Sequence, residues 1–337
     1  MKRRSLKFGL ALVACAVVWR ALSMGALEPV KALLSQPGAA SFLLYLQTGH
    51  IYRERLETAP PSVPTEQPET VPPATEGPEE RGWFFEPEDA SLVRVSDKCG
   101  YGADVPALLL SELKWDLTQG GPAVLIVHTH GTECYTPGPG EEFTQSSPYR
   151  TLDDGYNLVS IGDEVARLLE AGGVETIHDR TPHDSPSYND AYNQSRMSVE
   201  EYLERYPSIR MVLDLHRDAA STPSGQLRTL AQVDGEDSAQ LMMVVGTDAS
   251  GLDHPNWPEN MALAIKLTAL LEKTHPGLTR PISFRSQRFN QDLSPGAMLI
   301  EVGAAGNTHA EALRAARALA KGILALAGGT ATADSTS

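Results

Sequence analysis

The stretch Ala123-Val124-Leu125-Ile126-Val127-His128-Thr129-His130-Gly131-Thr132-Glu133 decides the fold class. Its first five residues are apolar without alternation, as in a strand buried on both faces of a parallel sheet. The run ends abruptly in two histidines, a glycine and a glutamate, so polar chemistry begins where the strand stops. Working outward, Asn157 to Ala171 carries Leu158, Ile161, Val165, Leu168 and Leu169 at helical spacing and stops at Gly172-Gly173. Strands are predicted over Val174–Ile177, Met211–Leu215, Gln240–Val245 and Ala297–Val302. Helices are predicted over Ser187–Tyr206, Asn256–His275 and Thr308–Leu326. Strand–helix alternation of this kind predicts an α/β fold, with a mostly parallel central sheet and helices on both faces.

Three polar clusters sit at the ends of these apolar runs. One is His128 to Glu133, the second Asp214-Leu215-His216-Arg217-Asp218, and the third Glu301-Val302-Gly303. In open α/β sheets, ligands gather beyond the carboxyl ends of strands. His130, His216 and Glu301 all fall at or just past such an end. Hydrolytic zinc sites use two histidines and a carboxylate, with water in the fourth position. His130 and Glu133, three residues apart, can reach one ion from a turn, and His216 completes the set. Glu301 is the candidate base for the attacking water. Asp154 competes with Glu133 as the carboxylate ligand, and Cys134 is a further donor whose adjacency to Glu133 strains simultaneous binding. Strand alternation turns His128 away from His130, into a supporting place. His178, His183, His254, His275 and His309 read as ordinary loop and helix histidines.

The composition narrows the partners. The formal net charge is -15, and no dense Lys/Arg run lies beyond the first twenty residues, which excludes nucleic acid as a partner. The three cysteines, Cys15, Cys99 and Cys134, form no CxxC pair, and Cys99 and Cys134 read as free thiols. At the start, Lys2, Arg3, Arg4 and Lys7 precede the apolar run Phe8–Trp19, a membrane-targeting pattern that sends the rest of the chain outside the cytoplasm. An uncleaved anchor, a cleaved signal peptide and a lipoprotein at Cys15 are all open. Seven prolines and many glutamates between Glu57 and Gly82 predict an extended, unpacked spacer. The chain therefore divides into a signal anchor or signal peptide (1–30), a juxtamembrane region (31–56), a Pro/Glu-rich linker (57–82), a catalytic domain (83–328) and a tail (329–337).

Five stretches in order give a specific resemblance. They are Ile126–Glu133, Tyr188–Arg196, Leu213–Ala219, Phe289–Ser294 and Leu299–Gly303. On them the chain resembles the stage II sporulation protein P family of endospore-forming bacteria, from about Val105 to Ala327. The resemblance implies an amidase-like fold and a zinc-dependent N-acetylmuramoyl-L-alanine amidase, with endopeptidase action as a second activity. It implies a peptidoglycan substrate and a place at the sporulation septum during forespore engulfment. There the chain would be held to the cell membrane by a single N-terminal segment, with stage II sporulation proteins D and M as partners. His130, His216 and Glu301 match the two metal histidines and the catalytic glutamate of related amidases, and Glu133 is preferred over Asp154. Arg196 and Arg217 are candidates for binding stem-peptide carboxylates, since Arg offers a planar fork. A stem-peptide carboxypeptidase and a non-catalytic wall-binding scaffold are the alternatives.

Overall fold

A computed structural model of the chain describes residues 85–328, except positions 114, 119, 223 and 224. The membrane segment, juxtamembrane region, linker and tail expected from the sequence lie outside the described residues. Among the described residues, no helix is long and apolar enough to cross a membrane.

The strands are β1 (Val95–Asp97), β2 (Val124–Val127), β3 (Thr176–His178), β4 (Met211–Asp218), β5 (Ser221–Thr222), β6 (Gly225–Gln226), β7 (Leu230–Val233), β8 (Glu236–Ala239), β9 (Leu241–Val245), β10 (Ile282–Phe284) and β11 (Ala297–Ala304). The α-helices are α1 (Val105–Leu110), α2 (Leu158–Ala171), α3 (Ala191–Arg205), α4 (Trp257–Thr274) and α5 (His309–Gly328). A seven-stranded sheet runs in the order β1-β10-β9-β11-β4-β2-β3. Every neighbouring pair is parallel except β11 with β9. The sheet is thus mostly parallel, as expected, but consists of two parallel blocks running in opposite directions.

Helix α2 shows how the local sequence sets an element. The Asn157 side chain accepts a hydrogen bond from the Val159 amide at the start. Gly173 ends it at φ 87°, a conformation that glycine adopts without steric cost. Leu158, Ile161, Val165 and Leu169 are buried on its inner face.

Period-2 alternation in the strands then sorts side chains between two layers. Val124 and Ile126 of β2, Met211, Leu213 and Leu215 of β4, and Met298, Ile300 and Val302 of β11 join the main core with α2, α4 and α5. Leu125, Val127, Val212 and Ala297 face the opposite way, into a smaller core with Val199 of α3. Helices therefore cover both faces. The same alternation puts Asp214, His216 and Glu301 on the α3 side of the sheet and His128 on the α2 side.

Strands β4 and β11 run past the ends predicted for them, by three and two residues. They pair with each other in register, Glu301 opposite His216, and β9 pairs with β11 on its far edge. Backbone ladders are indifferent to side-chain polarity, so the apolar run ends before the strand does. His216 and Glu301 consequently lie within the sheet rather than beyond it.

Candidate metal and catalytic site

The β4–β11 ladder places His216 and Glu301 side by side on one face. His130 and Glu133 reach the same place from the turn after β2, which closes on itself through a 3.0 Å hydrogen bond from Glu133 N to His130 O. The His130 and His216 rings lie 5.5 Å apart with planes at 88°. His216 Nε2 stands 3.0 Å from Asp214 Oδ1, off the line of an ideal hydrogen bond, while Nδ1 is 3.9 Å from Glu133 Oε2.

Glu133 is gripped from two sides. Arg150 Nη2 donates to Oε1 at 3.2 Å, and the Arg217 backbone amide donates to Oε2 at 3.3 Å. The Arg150 guanidinium also bonds the buried Asp184 carboxylate and lies 4.6 Å from the Tyr188 ring centroid. Tyr188 in turn stacks on His130 at 4.4 Å. Asp184 Oδ2 is 3.9 Å from His130 Nδ1, too far for a hydrogen bond, and that nitrogen is buried without a partner.

The electrostatics of the cluster follow from burial and close charges. Burial raises the Glu301 carboxyl to a pKa of about 8, against the opposing pull of His216, and its Oε2 is buried without a partner. For His216 burial acts downward, but Asp214, Glu301 and Glu133 outweigh it and lift the ring to about 9. Burial also pushes Asp214 upward, yet the His216 charge and the Thr129 donors hold it below its ordinary value.

Two imidazoles and a carboxylate are the donor set zinc prefers, and buried polar atoms without partners mark where a ligand would satisfy them. Donors sharing a tetrahedral zinc at about 2.0–2.1 Å lie about 3.3 Å apart. The 3.9 Å between Glu133 Oε2 and His216 Nδ1 is close to that separation. With Nε2 turned to Asp214, His216 presents Nδ1, and His130 adds its unpartnered Nδ1. As the side chains stand, no three His, Cys, Asp or Glu groups among the described residues are close enough to hold an ion. In kind, two imidazoles and a carboxylate, the residues fit zinc.

The other candidates lie elsewhere or are engaged. Asp154 is exposed and pairs with Arg180 at 3.1 Å, so it is Glu133 that stands beside His216. Arg196, on α3, pairs with Glu200 and Asp292, each at 2.9 Å. Arg217 is buried, donating to Cys134 O at 3.1 Å and Tyr149 O at 2.9 Å, and so anchors the 133–150 loop. Cys99 and Cys134 are free thiols, the latter fully buried and raised to about 11 by that burial. His128 is buried on the α2 side, with Nδ1 3.2 Å from Leu215 O and Nε2 2.8 Å from His178 Nε2. Burial, then the His178 charge, lowers its pKa to about 3, so the ring is neutral. A carbonyl only accepts, so Nδ1 of His128 carries the proton.

Asp214, Arg150, Asp184 and Tyr188 belong to the cluster although the sequence pattern does not mark them as site residues. Asp214 carries a usable signal, since Asp-x-His in a strand puts both side chains on one face. Arg150 and Asp184 come from loops that carry no periodic signal.

Comparison with known proteins gives a family match. The model of the family "Stage II sporulation protein P (SpoIIP)" matches residues 57–324. Stage II sporulation protein P of Bacillus subtilis (strain 168) is 30% identical over 208 residues, covering 58% of this chain. The chain spans about half the length of that relative, 49%. Among solved structures, the CwlD amidase of Clostridioides difficile in complex with the GerS lipoprotein aligns at a TM-score of 0.38 and 13% identity, over 60% of this chain and 96% of that one. The N-acetylmuramoyl-L-alanine amidase AmiC2 of Nostoc punctiforme aligns at 0.36 and 15% identity, over 61% of this chain and 97% of that one. Both likenesses are too remote to bear on chemistry.

Proposed function

Because the chain belongs to the stage II sporulation protein P family, we propose that it is a peptidoglycan hydrolase, a zinc-dependent N-acetylmuramoyl-L-alanine amidase acting in septal wall removal during engulfment. The observation that carries this reading is the meeting of Glu301, His216 and Glu133. Glu301 faces His216 across the ladder with an unpartnered buried oxygen, and Glu133 Oε2 lies 3.9 Å from His216 Nδ1. His130, Glu133 and His216 would hold the zinc. When bound, zinc supplies a Lewis acid for the scissile carbonyl and a water acidified to a pKa of about 7.

The chain's own residues do the rest. Asp214 turns the His216 ring so that Nδ1 is the free donor. Arg150 and the Arg217 amide orient Glu133. Glu301 takes the proton of the attacking water and passes it to the departing L-alanine nitrogen, so that one carboxyl serves as base and then acid. Burial alone keeps Glu301 protonated at neutral pH, and a cation bound beside it would favour the carboxylate form that a base requires. The N-terminal apolar run and the Pro/Glu-rich linker would tether this domain to the outer face of the cell membrane, where stage II sporulation proteins D and M are the proposed partners.

The test is digestion of purified peptidoglycan by the full chain and by Glu301→Gln, with products identified by mass spectrometry. The wild type should release peptides with a free L-alanine amine. Glu301→Gln should cut at least about 10²-fold more slowly while keeping its zinc. Full activity in Glu301→Gln refutes the assignment. Cuts inside the stem peptide would instead make the chain an endopeptidase or carboxypeptidase, and binding of the wall without any cleavage would make it a scaffold.

A further inference from the structure

Two of the stretches that identify the family, Tyr188–Arg196 and Phe289–Ser294, supply no proposed metal ligand. The fold brings them together under β4. Asn290 Nδ2 donates to Tyr192 O at 2.8 Å and to Ser195 Oγ at 3.2 Å. Ser195 Oγ lies 2.8 Å from Thr129 Oγ1, which donates to Asp214 Oδ2 at 2.6 Å. The Thr129 amide donates to Asp214 Oδ1 at 2.8 Å, and the same oxygen is 3.0 Å from His216 Nε2.

The proton order in this chain of groups is fixed. The single Thr129 hydroxyl proton goes to the carboxylate, which can only accept. Thr129 Oγ1 must then accept from Ser195. Ser195 Oγ also lies 3.3 Å from the Tyr192 carbonyl, which already accepts from Asn290, and the shorter 2.8 Å contact takes its proton to Thr129. From Asn290 through Ser195 and Thr129, one line of donors thus runs toward Asp214. Ser195 and Thr129 are buried, and Phe289 and Asn290 sit at φ 51° and 58°, left-handed values that non-glycine residues adopt at a cost. Backbone strain is thus retained where Asn290 is brought up to Ser195.

We infer that Asn290, Ser195 and Thr129 are positioning residues that, through Asp214, fix the orientation in which His216 offers Nδ1 to the metal. The inference rests on the zinc reading above and goes beyond it by giving these two stretches a task. Asp214 accepts from Thr129 at both oxygens, so it resists rotation, and its Oδ1, 3.0 Å from His216 Nε2, draws that nitrogen by charge to its own side and leaves Nδ1 toward Glu133. Partners of this kind behind a metal-bound histidine typically contribute 10–100-fold, roughly, to metal affinity.

The test measures zinc affinity of the full chain by chelator competition at fixed pH, together with the visible absorption of its cobalt(II)-loaded form. Thr129→Val keeps the shape and removes the hydroxyl, and Thr129→Ser restores it. Asn290→Asp keeps a residue that tolerates the left-handed backbone and removes the donor. Thr129→Val should bind zinc roughly 10–100-fold more weakly and shift the cobalt bands. Asn290→Asp should move both readouts the same way, whereas Thr129→Ser should match the wild type. A role confined to stability would lower the melting temperature and leave the cobalt spectrum unchanged. Wild-type affinity and an unaltered spectrum in Thr129→Val, or in Asn290→Asp should Thr129→Val not fold, overturn the inference while the zinc reading stands. A wild-type chain that takes up no zinc overturns both.

Discussion

Replacing Gly162 by alanine sets two effects of opposite sign against each other. Gly162 lies inside α2, where alanine is favoured over glycine by about 1 kcal/mol. An exposed helix would therefore gain stability. Here a Cβ would stand 2.4 Å from His178 Nε2 and 2.6 Å from His128 Nε2, inside the distance at which real carbon atoms approach. The His128 ring cannot retreat, because it is fully buried and held against Leu215 O on its other side. Forcing the rings apart breaks the 2.8 Å His128–His178 contact and leaves a buried nitrogen unpaired. Overpacking costs about 1–3 kcal/mol and an unsatisfied buried group a similar amount, so the net loss is about 1–5 kcal/mol after the propensity gain. For a domain of this size that lowers the melting temperature by about 2–20 °C. Calorimetry of wild type, Gly162→Ala, His178→Ala and the double variant gives the coupling directly. With the His178 ring removed only the His128 contact remains, so the added methyl should cost less than in the wild type. A Gly162→Ala protein as stable as wild type, or more so, refutes the reasoning and the close packing of α2 on β2.

Other consequences are open to measurement. Burial lowers Lys266 from its ordinary 10.5 to about 8, so above pH 8 the folded chain sheds a proton that the unfolded chain keeps. Stability referred to Lys266→Met should therefore rise between pH 8 and about 10.5 and stay flat below 8; a flat difference throughout, by denaturant unfolding, contradicts the burial. Cys134, buried and protonated at neutral pH, should resist thiol reagents in the native chain, while Cys99 reacts measurably faster. Equal rates, monitored by mass spectrometry of the labelled peptides, would show that the loop anchored by Arg217 opens freely.

Much of this architecture can be read from sequence because its signals are local. The apolar runs beginning at Val124 and Met211 mark buried strands, and Asn157 and Gly172-Gly173 bracket α2. The elements that escape such reading are either too short or non-local. Strands β1 and β10 are three residues each, too few for any period to register. The reversal between β9 and β11 depends on how the chain returns to the sheet, which no local pattern encodes. The β7–β8 ribbon does carry a local signal, for Asp234-Gly235 adopts φ 52° and 81°, the pairing expected of a tight hairpin turn. In the candidate site, the strand-end histidines and Glu301 stand out because polar residues in apolar strands are costly unless used. Their supports do not stand out. Arg150 meets Glu133 across 17 residues, and Asn290 meets Ser195 across 95, distances that only the folded chain resolves.

X-ray absorption at the zinc edge of the purified full chain bears most directly on the claim that one ion joins His130, Glu133 and His216. The account predicts one zinc per chain surrounded by nitrogen and oxygen at about 2.0–2.1 Å, with the multiple-scattering signature of two imidazoles. A chain without zinc, or a shell containing sulfur at about 2.3 Å from Cys134, would contradict it.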